Sequence, residues 1–121
     1  MKIIPTRQFM ADTEFYIRKK KYLKILTDIK TVTDELLKGN LVGDKLEGLK
    51  LKENTAAYKV RVANTSTKSG KSNGFRIIYY AVFEEKIYLL TIYSKKDSNH
   101  IPNDRQIEML IKNIIEEDND S

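Results

Sequence analysis

The sequence contains no cysteine and a single histidine, and these absences exclude several kinds of protein. Without cysteine no disulfide can form, which fits a reducing compartment. A zinc centre is close to excluded, because such sites are built from thiolates and imidazoles, and no pattern indicates another metal or a cofactor. A chain of 121 residues suits one domain with one core and needs no covalent staple. We therefore expect residues 1–121 to form a single domain.

Long apolar runs are missing as well. The N-terminus, MKIIPTRQF, lacks the apolar stretch of a signal peptide, and no segment is long enough to cross a bilayer. The sequence therefore predicts a soluble, cytoplasmic protein without a membrane partner. The net charge is +5, but the last six residues hold four acids and no base, so the rest of the chain carries +9. We predict a disordered acidic tail over residues 116–121.

The N-terminal third combines one short strand with a helical pattern. Lys2–Ile4 is strand-like and is stopped by Pro5. Apolar residues with helical spacing then run from Asp12 to Lys38, with Asp12 or Thr13 as the expected N-cap. That span is long for one helix, so we predict a break near Lys19–Tyr22 and two helices.

The rest of the chain predicts three strands and a last helix. Runs rich in Val, Ile, Tyr, Phe and Thr mark strands at Tyr58–Ala63, Phe75–Phe83 and Ile87–Ser94. Asn103 and Gln106 match a capping box at the start of a helix over Pro102–Glu117. The order β-α-α-β-β-β-α predicts an α+β fold with a small, mainly antiparallel sheet. We expect the two N-terminal helices and the C-terminal helix on one face, with the other face open.

Basic residues concentrate on the predicted strands. Five of them and no acid lie in the stretch from Lys59 to Arg76, namely Lys59, Arg61, Lys68, Lys71 and Arg76. Lys59 and Arg61 are two positions apart, so they project from one face of a strand. Arg76 begins the next strand and is expected to be exposed beside them, and Lys95 and Lys96 follow the third strand. The resulting positive field would attract phosphodiester backbones.

Two further basic segments flank these strands. The loop Asn64–Gly74 is almost wholly Ser, Thr, Asn, Gly and Lys, so we expect it to be exposed and mobile. Lys19, Lys20 and Lys21 form a basic run at the predicted helix break. This run is either a solvated helix face or a second contact to a nucleic-acid backbone.

The segments KSNGFRIIYY and IYLLTIYSKKD resemble the HigB branch of the RelE superfamily of toxins from bacterial toxin–antitoxin systems. The family pattern is a Lys- and Gly-rich loop, an Arg, an apolar-Tyr-Tyr strand and a strand that ends in Tyr-x-Lys. The matching residues are Lys68, Lys71, Gly74, Arg76, Ile78, Tyr79, Tyr80, Tyr93 and Lys95. The resemblance implies a RelE-like fold and a ribosome-dependent, metal-independent endoribonuclease that cleaves mRNA and inhibits translation. It also implies three partners: a HigA-like helix-turn-helix antitoxin, the ribosome with its mRNA, and operator DNA only through the antitoxin complex.

The residue content fits that chemistry. RNA is cut when its own 2′-hydroxyl attacks the adjacent phosphorus, so the protein must stabilise a phosphorane and protonate the leaving 5′-oxygen. Arg61 and Arg76 are candidates for the first task, because a guanidinium binds two phosphate oxygens. Lys59 and Lys95 are candidates for acid or base. RNA or ribosome contacts are assigned to Lys19, Lys20, Lys21, Lys68, Lys71, Lys96 and Tyr93, the last by stacking on a base.

One departure from the family pattern concerns the proton donor. RelE itself has a Tyr shortly after its last strand, and this chain has none at the corresponding place. His100 lies there and is a possible proton donor, because histidine titrates near neutrality. Two other functions remain open from the sequence. One is a ParE-like toxin that inhibits gyrase, and the other is a non-catalytic module that binds the ribosome or RNA.

Overall fold

The computed structural model describes the backbone of residues 1–119 and, except at residues 98 and 116–119, their side chains. The strands are β1 (Lys2–Pro5), β2 (Asp44–Lys45), β3 (Thr55–Val62), β4 (Phe75–Val82) and β5 (Lys86–Ser94). The helices are α1 (Arg7–Arg18), α2 (Ile25–Leu37) and α3 (Asp104–Asn119). Short 3₁₀ turns span Thr65–Thr67, Lys71–Asn73 and Ser98–His100. The predicted α+β class is confirmed, and so is the break between the first two helices.

The strands form one mixed sheet in the order β1-β5-β4-β3-β2. Only β1 and β5 are parallel, and the other described neighbours are antiparallel. β4 and β5 form the predicted hairpin. β2 adds a two-residue edge strand that the sequence did not indicate. The basic ends of β3, β4 and β5 meet at one end of this sheet, since Arg61 pairs with Arg76 and Arg76 with Tyr93.

Helices cover both faces of the sheet, which corrects the expectation that all three lie on one face. α1 and α2 pack on the face formed by Val60, Val62, Ile77 and Tyr79. α3 packs on the opposite face of the sheet. Its buried residues are Ile107, Ile111 and Ile114, and they share a core with Ile78, Tyr80, Tyr88 and Leu90 of β4 and β5. Alternate strand residues point to opposite faces, so the two cores lie on either side of the sheet. The α3 face is left uncovered at the end where the basic residues lie.

α1 begins earlier than predicted. Thr6 is its N-cap and accepts a hydrogen bond from the Phe9 amide, whereas Asp12 and Thr13 lie inside the helix. The predicted capping box of α3 is confirmed. The Gln106 side chain accepts a hydrogen bond from the Asn103 amide at 2.9 Å, and the Asn103 side chain accepts one from the Gln106 amide at 2.8 Å. These caps satisfy amides that have no partner within the helix.

α1 also completes the open edge of β5. β1 pairs with β5 only as far as Leu89, and from there side chains of α1 and of its N-cap bond the β5 backbone. The Thr6 hydroxyl donates to the Leu89 carbonyl at 2.9 Å. Asp12 accepts from the Ile92 amide at 3.2 Å, and the Tyr16 hydroxyl accepts from the Ser94 amide at 2.8 Å. Side chains thus take the place of a strand neighbour along this part of β5.

The loop between β3 and β4 has more internal structure than expected. Its two 3₁₀ turns are joined by a bridge between Asn64 and Ser69. The buried carboxylate of Asp28 on α2 accepts hydrogen bonds from the Thr65 amide and hydroxyl at 3.1 and 2.8 Å. A Cβ at Gly74 would lie 2.1 Å from the Val62 carbonyl oxygen, so only glycine permits this approach. The loop is therefore fixed at both its beginning and its end.

The predicted acidic tail is described only in part. The backbone of residues 116–119 continues α3, and residues 120 and 121 lie outside the described residues. Between residues 1 and 119, no helix has the length and apolar character needed to span a membrane.

Candidate functional site

A cleft of ≈ 390 Å³ lies on the α3 face at the uncovered end of the sheet. It is lined by Asp44, Lys59, Arg61, Arg76, Tyr93, Lys95 and Ile101. All four residues assigned to catalysis from the sequence therefore lie in one cleft, which we name the basic cleft. They come from the ends of three neighbouring strands and from the residue that follows β5.

Two cations lie side by side on neighbouring strands of the basic cleft. Arg61 of β3 and Arg76 of β4 are direct cross-strand partners. Like charges in this position destabilise a sheet. Neither arginine forms an ion pair with any other described residue. A bound anion would offset the repulsion, so this arrangement is suited to a phosphate group.

Arg76 is held by the backbone, which corrects the expectation that it is exposed. Its side chain leaves the residue only 8% exposed. Nη1 donates to the carbonyls of Lys71 and Phe75 at 3.0 and 3.1 Å, and Nη2 donates to that of Ser72 at 3.2 Å. A guanidinium has five N–H groups, so Arg76 can fix the Lys71–Asn73 turn and still offer donors to a ligand.

Burial shapes the charges at the floor of the cleft. Desolvation, and secondly the charge of Arg61, lowers the pKa of Arg76 from its ordinary value. Burial raises the pKa of Tyr93, and the nearby Arg76 opposes that rise. Tyr93 is only 3% exposed and belongs to the apolar core under α3. It therefore forms part of the floor and does not present an open ring face for stacking, contrary to the expected role.

Asp44 is a cleft residue that the sequence did not indicate. It lies on β2 directly opposite Lys59 of β3. No other acidic residue is among the described residues that line the cleft. The sequence signal for Asp44 is weak, because β2 has only two residues, lies in a Gly-containing connecting segment and shows no hydrophobic periodicity.

The remaining basic candidates lie outside the basic cleft. Lys68 and Lys71 are exposed on the β3–β4 loop, and the carbonyl of Lys71 is one of the acceptors of Arg76. Lys96 is exposed after β5. Lys19, Lys20 and Lys21 are exposed in the α1–α2 linker. This linker contacts the loop, since the Lys24 amide donates to the Ser66 hydroxyl at 3.0 Å.

His100 lies in a different cleft. Its ring stacks on Phe15 with a centroid distance of 5.2 Å, and Nε2 is 3.5 Å from a carboxylate oxygen of Asp97. The surrounding cleft, of ≈ 460 Å³, is lined by residues of α1, β5 and α3. Ile101 lines both clefts, so His100 is a neighbour of the basic cleft and not part of its wall. The structure thus does not bring this possible proton donor to the four cations.

A third concavity has the opposite character. A groove of ≈ 790 Å³ lies between α1, α2 and β1 on the other face of the sheet. Its walls include the exposed side chains of Met10, Leu26 and Leu37, which are 52, 63 and 61% exposed. We name it the apolar groove. Exposed apolar surface of this kind is typical of a protein-docking site.

Neither a metal centre nor a known family is evident. Within the described part of the chain, no group of three or more His, Cys, Asp or Glu side chains is placed to hold a metal ion. No protein-family model matches the chain, and no curated protein sequence matches it. The chemistry of the basic cleft therefore rests on its geometry.

Proposed function

We propose that the protein is the toxin of a type II toxin–antitoxin system and acts as a ribosome-dependent, metal-independent endoribonuclease that cleaves mRNA. The observation that carries this proposal is the pair of facing arginines, Arg61 and Arg76, with Lys59 and Lys95 in the same cleft. Four cations in one concave site, without an ion pair among the described residues, are suited to a phosphodiester. RelE-like toxins, which the sequence resembles, act on the same substrate.

The cleft residues divide the chemistry between them. Arg61 and Arg76 bind the scissile phosphate and stabilise the additional negative charge of the phosphorane. The backbone contacts of Arg76 hold its guanidinium in place before substrate arrives, which lowers the reorganisation that the reaction needs. Lys59 or Lys95 protonates the leaving 5′-oxygen. The single histidine lies outside the cleft, so the protein has no pair of histidines to act as acid and base. We therefore expect the ribosome to contribute to the reaction by orienting the mRNA in the cleft.

Exposed lysines outside the cleft supply binding. Lys68, Lys71 and Lys96 follow the strands that form the cleft, and Lys19, Lys20 and Lys21 are in the linker that contacts the loop. All six are exposed, so they can contact phosphates without first breaking internal bonds. Binding is thereby distributed over many side chains, whereas cleavage depends on few.

A toxin requires an inhibitor, and the apolar groove is a suitable place for it. The end of the groove at Arg18 continues into the basic linker, where Lys19, Lys20, Lys21 and Lys24 follow without an acid. An amphipathic helix with acidic residues at one end would match both the apolar walls and this charge. We assign the groove to such a helix of a HigA-like helix-turn-helix antitoxin. Operator DNA would then be bound through the antitoxin.

Cleavage of mRNA on purified ribosomes tests the proposal. Ribosomes carrying a defined mRNA are mixed with the wild-type protein, and the new 5′ ends are mapped by primer extension. We expect breaks in register with codons and little cutting of the same RNA without ribosomes. Binding without breaks would favour a non-catalytic ribosome-binding module. Loss of gyrase supercoiling activity in a parallel assay, with intact mRNA, would favour a ParE-like toxin.

A further inference from the structure

The one acidic side chain that lines the described walls of the basic cleft needs a physical explanation. Asp44 lies opposite Lys59 and shares a cleft with Arg61, Arg76 and Lys95. It is exposed and forms no ion pair with another described residue. A carboxylate in a site for phosphates opposes binding by charge repulsion. An uncharged residue in its place would bind RNA more tightly.

The chain holds Asp44 in this position by a close backbone approach. Gly43 has φ +96°, and a Cβ there would lie 2.5 Å from the Lys59 carbonyl oxygen. The Leu46 amide then donates to the Ala57 carbonyl at 2.8 Å. β2 is thus fixed against β3 on both sides of Asp44, so the carboxyl group is positioned by rigid backbone. A surface ion pair with Lys59 would contribute little to stability and would not require this close backbone approach.

Cleavage needs a group that the four cations cannot supply. The 2′-hydroxyl must lose a proton as it attacks, and an effective acceptor is unprotonated at neutral pH. Lysine and arginine side chains are ordinarily protonated there, whereas an aspartate side chain is ordinarily an acceptor. Asp44 is the side chain of that type among the described residues of the cleft wall.

We propose that Asp44 is the general base of the basic cleft, an inference that rests on the proposed ribonuclease function. Its carboxylate takes the proton of the 2′-hydroxyl as the O2′–P bond forms. The P–O5′ bond breaks, and O5′ takes a proton from the ammonium group of Lys59 or Lys95. The products are a 2′,3′-cyclic phosphate and a 5′-hydroxyl. The proton on Asp44 then passes to water, and the lysine regains one from water.

The test compares Asp44→Asn with wild type in single-turnover cleavage of mRNA on ribosomes and in ribosome binding. We expect cleavage to fall at least 100-fold, while binding is unchanged or tighter because a negative charge has been removed. Asp44→Glu keeps the carboxylate and should recover part of the rate. Glu47→Gln, an exposed acid that does not line the cleft, should behave as wild type.

The possible failures are distinguishable. If wild type cleaves and Asp44→Asn cleaves within threefold of it, the base is another group and only this inference is wrong. If binding, thermal stability and cleavage fall together in Asp44→Asn, and Asp44→Glu recovers none of them, Asp44 has a structural role. If wild-type protein leaves ribosome-bound mRNA intact, both the proposed function and the inference are wrong.

Discussion

The basic cleft and the apolar groove lie on opposite faces of one sheet, and they differ in whether their charged side chains have ion-pair partners. In the cleft, Arg61 and Arg76 face each other and neither has a carboxylate partner among the described residues. In the groove, Arg18 pairs with Glu14 at 2.6 Å, and apolar side chains dominate the walls. A surface that leaves cations unpaired is suited to an anion, whereas one that pairs its charges and exposes apolar atoms is suited to a protein.

The comparison implies that the two surfaces can be disabled separately. The sheet and its two cores lie between them, so we expect a substitution in one wall to leave the other wall unchanged. An inhibitor bound in the groove would leave the cleft open to solvent. Inhibition would then act by preventing entry to the ribosome and not by filling the cleft.

Replacing Arg61 should produce the largest effect. Arg61→Ala removes one of the two proposed phosphate ligands, and we expect single-turnover cleavage to fall by roughly two to three decades. Because Arg61 is exposed, the free energy of unfolding should stay nearly unchanged. Lys45→Ala is the matched control, since it removes an exposed charge from β2 that does not line the cleft. Equal cleavage by Arg61→Ala and the control would remove the central argument for catalysis.

A charge introduced into the apolar groove should weaken inhibition by the proposed antitoxin and leave the rate of mRNA cleavage unchanged. Leu26→Asp buries a carboxylate under any helix docked there, and we expect antitoxin affinity to fall roughly 30-fold or more. The rate on ribosomes should remain that of wild type. Met109→Asp alters a similarly exposed side chain on α3 outside the groove and serves as the control. Calorimetric titration of the two variants measures the difference, and equal affinities would place the antitoxin elsewhere.

Arg76→Ala should affect stability as well as activity, unlike Arg61→Ala. The substitution removes three hydrogen bonds to carbonyls, and we expect the free energy of unfolding to fall by about 2 kcal/mol. Urea unfolding measures this loss. Arg76→Lys should recover little, because an ammonium group cannot reach the same carbonyls as a planar fork. If Arg76→Ala were as stable as wild type, the described contacts would contribute nothing to the fold.

Smaller effects are expected from the lysines outside the cleft. Alanine at Lys68 and Lys71 should lower the salt dependence of ribosome binding by roughly one unit of slope per lost contact. The same comparison for Lys19, Lys20 and Lys21 shows whether the linker binds RNA or the acidic end of an antitoxin helix. A variant with all five lysines replaced and an unchanged slope would contradict the assignment of these residues to phosphate contacts.

The smallest expected effect is a pH dependence of stability that arises outside the basic cleft. Burial raises the pKa of Asp12, although hydrogen bonds from Thr91 and Gln8 oppose the rise. A raised pKa in the folded state means that the contribution of this group to stability is complete below about pH 4, where it is also protonated when unfolded, and is lost as the pH rises through the folded value. Asp12→Asn does not titrate, so the difference in unfolding free energy between the two proteins should change in this range. A constant difference would mean that Asp12 titrates as in the unfolded chain.

The sequence predicted the elements whose signal is local. Strand-forming residues identified β3, β4 and β5, and the pair Asn103 and Gln106 identified the start of α3. The two-residue spacing of Lys59 and Arg61 placed them on one face of β3. The expected antiparallel pairing of β3 with β4 placed Arg76 beside them. These features depend on neighbours in the chain, which is why they could be predicted.

The features that were missed depend on distant contacts. The position of Asp44 follows from the close approach of Gly43 to Lys59, and the burial of Arg76 follows from carbonyls that carry no side-chain signal. The placement of α3 had a signal that was overlooked. The apolar runs in β4 and β5 have no polar alternation, which indicates strands buried on both faces.

The most direct test of the central claim uses RNA whose 2′-hydroxyl is missing at one nucleotide. The wild-type cleavage position is mapped on ribosome-bound mRNA, and a second mRNA carries a 2′-deoxynucleotide immediately 5′ of that bond. If the basic cleft cuts RNA through its own 2′-hydroxyl, the deoxy message should bind equally well and remain intact at that position. The ribo message should end in a 2′,3′-cyclic phosphate. Cleavage of the deoxy message at the same bond and the same rate would contradict the mechanism.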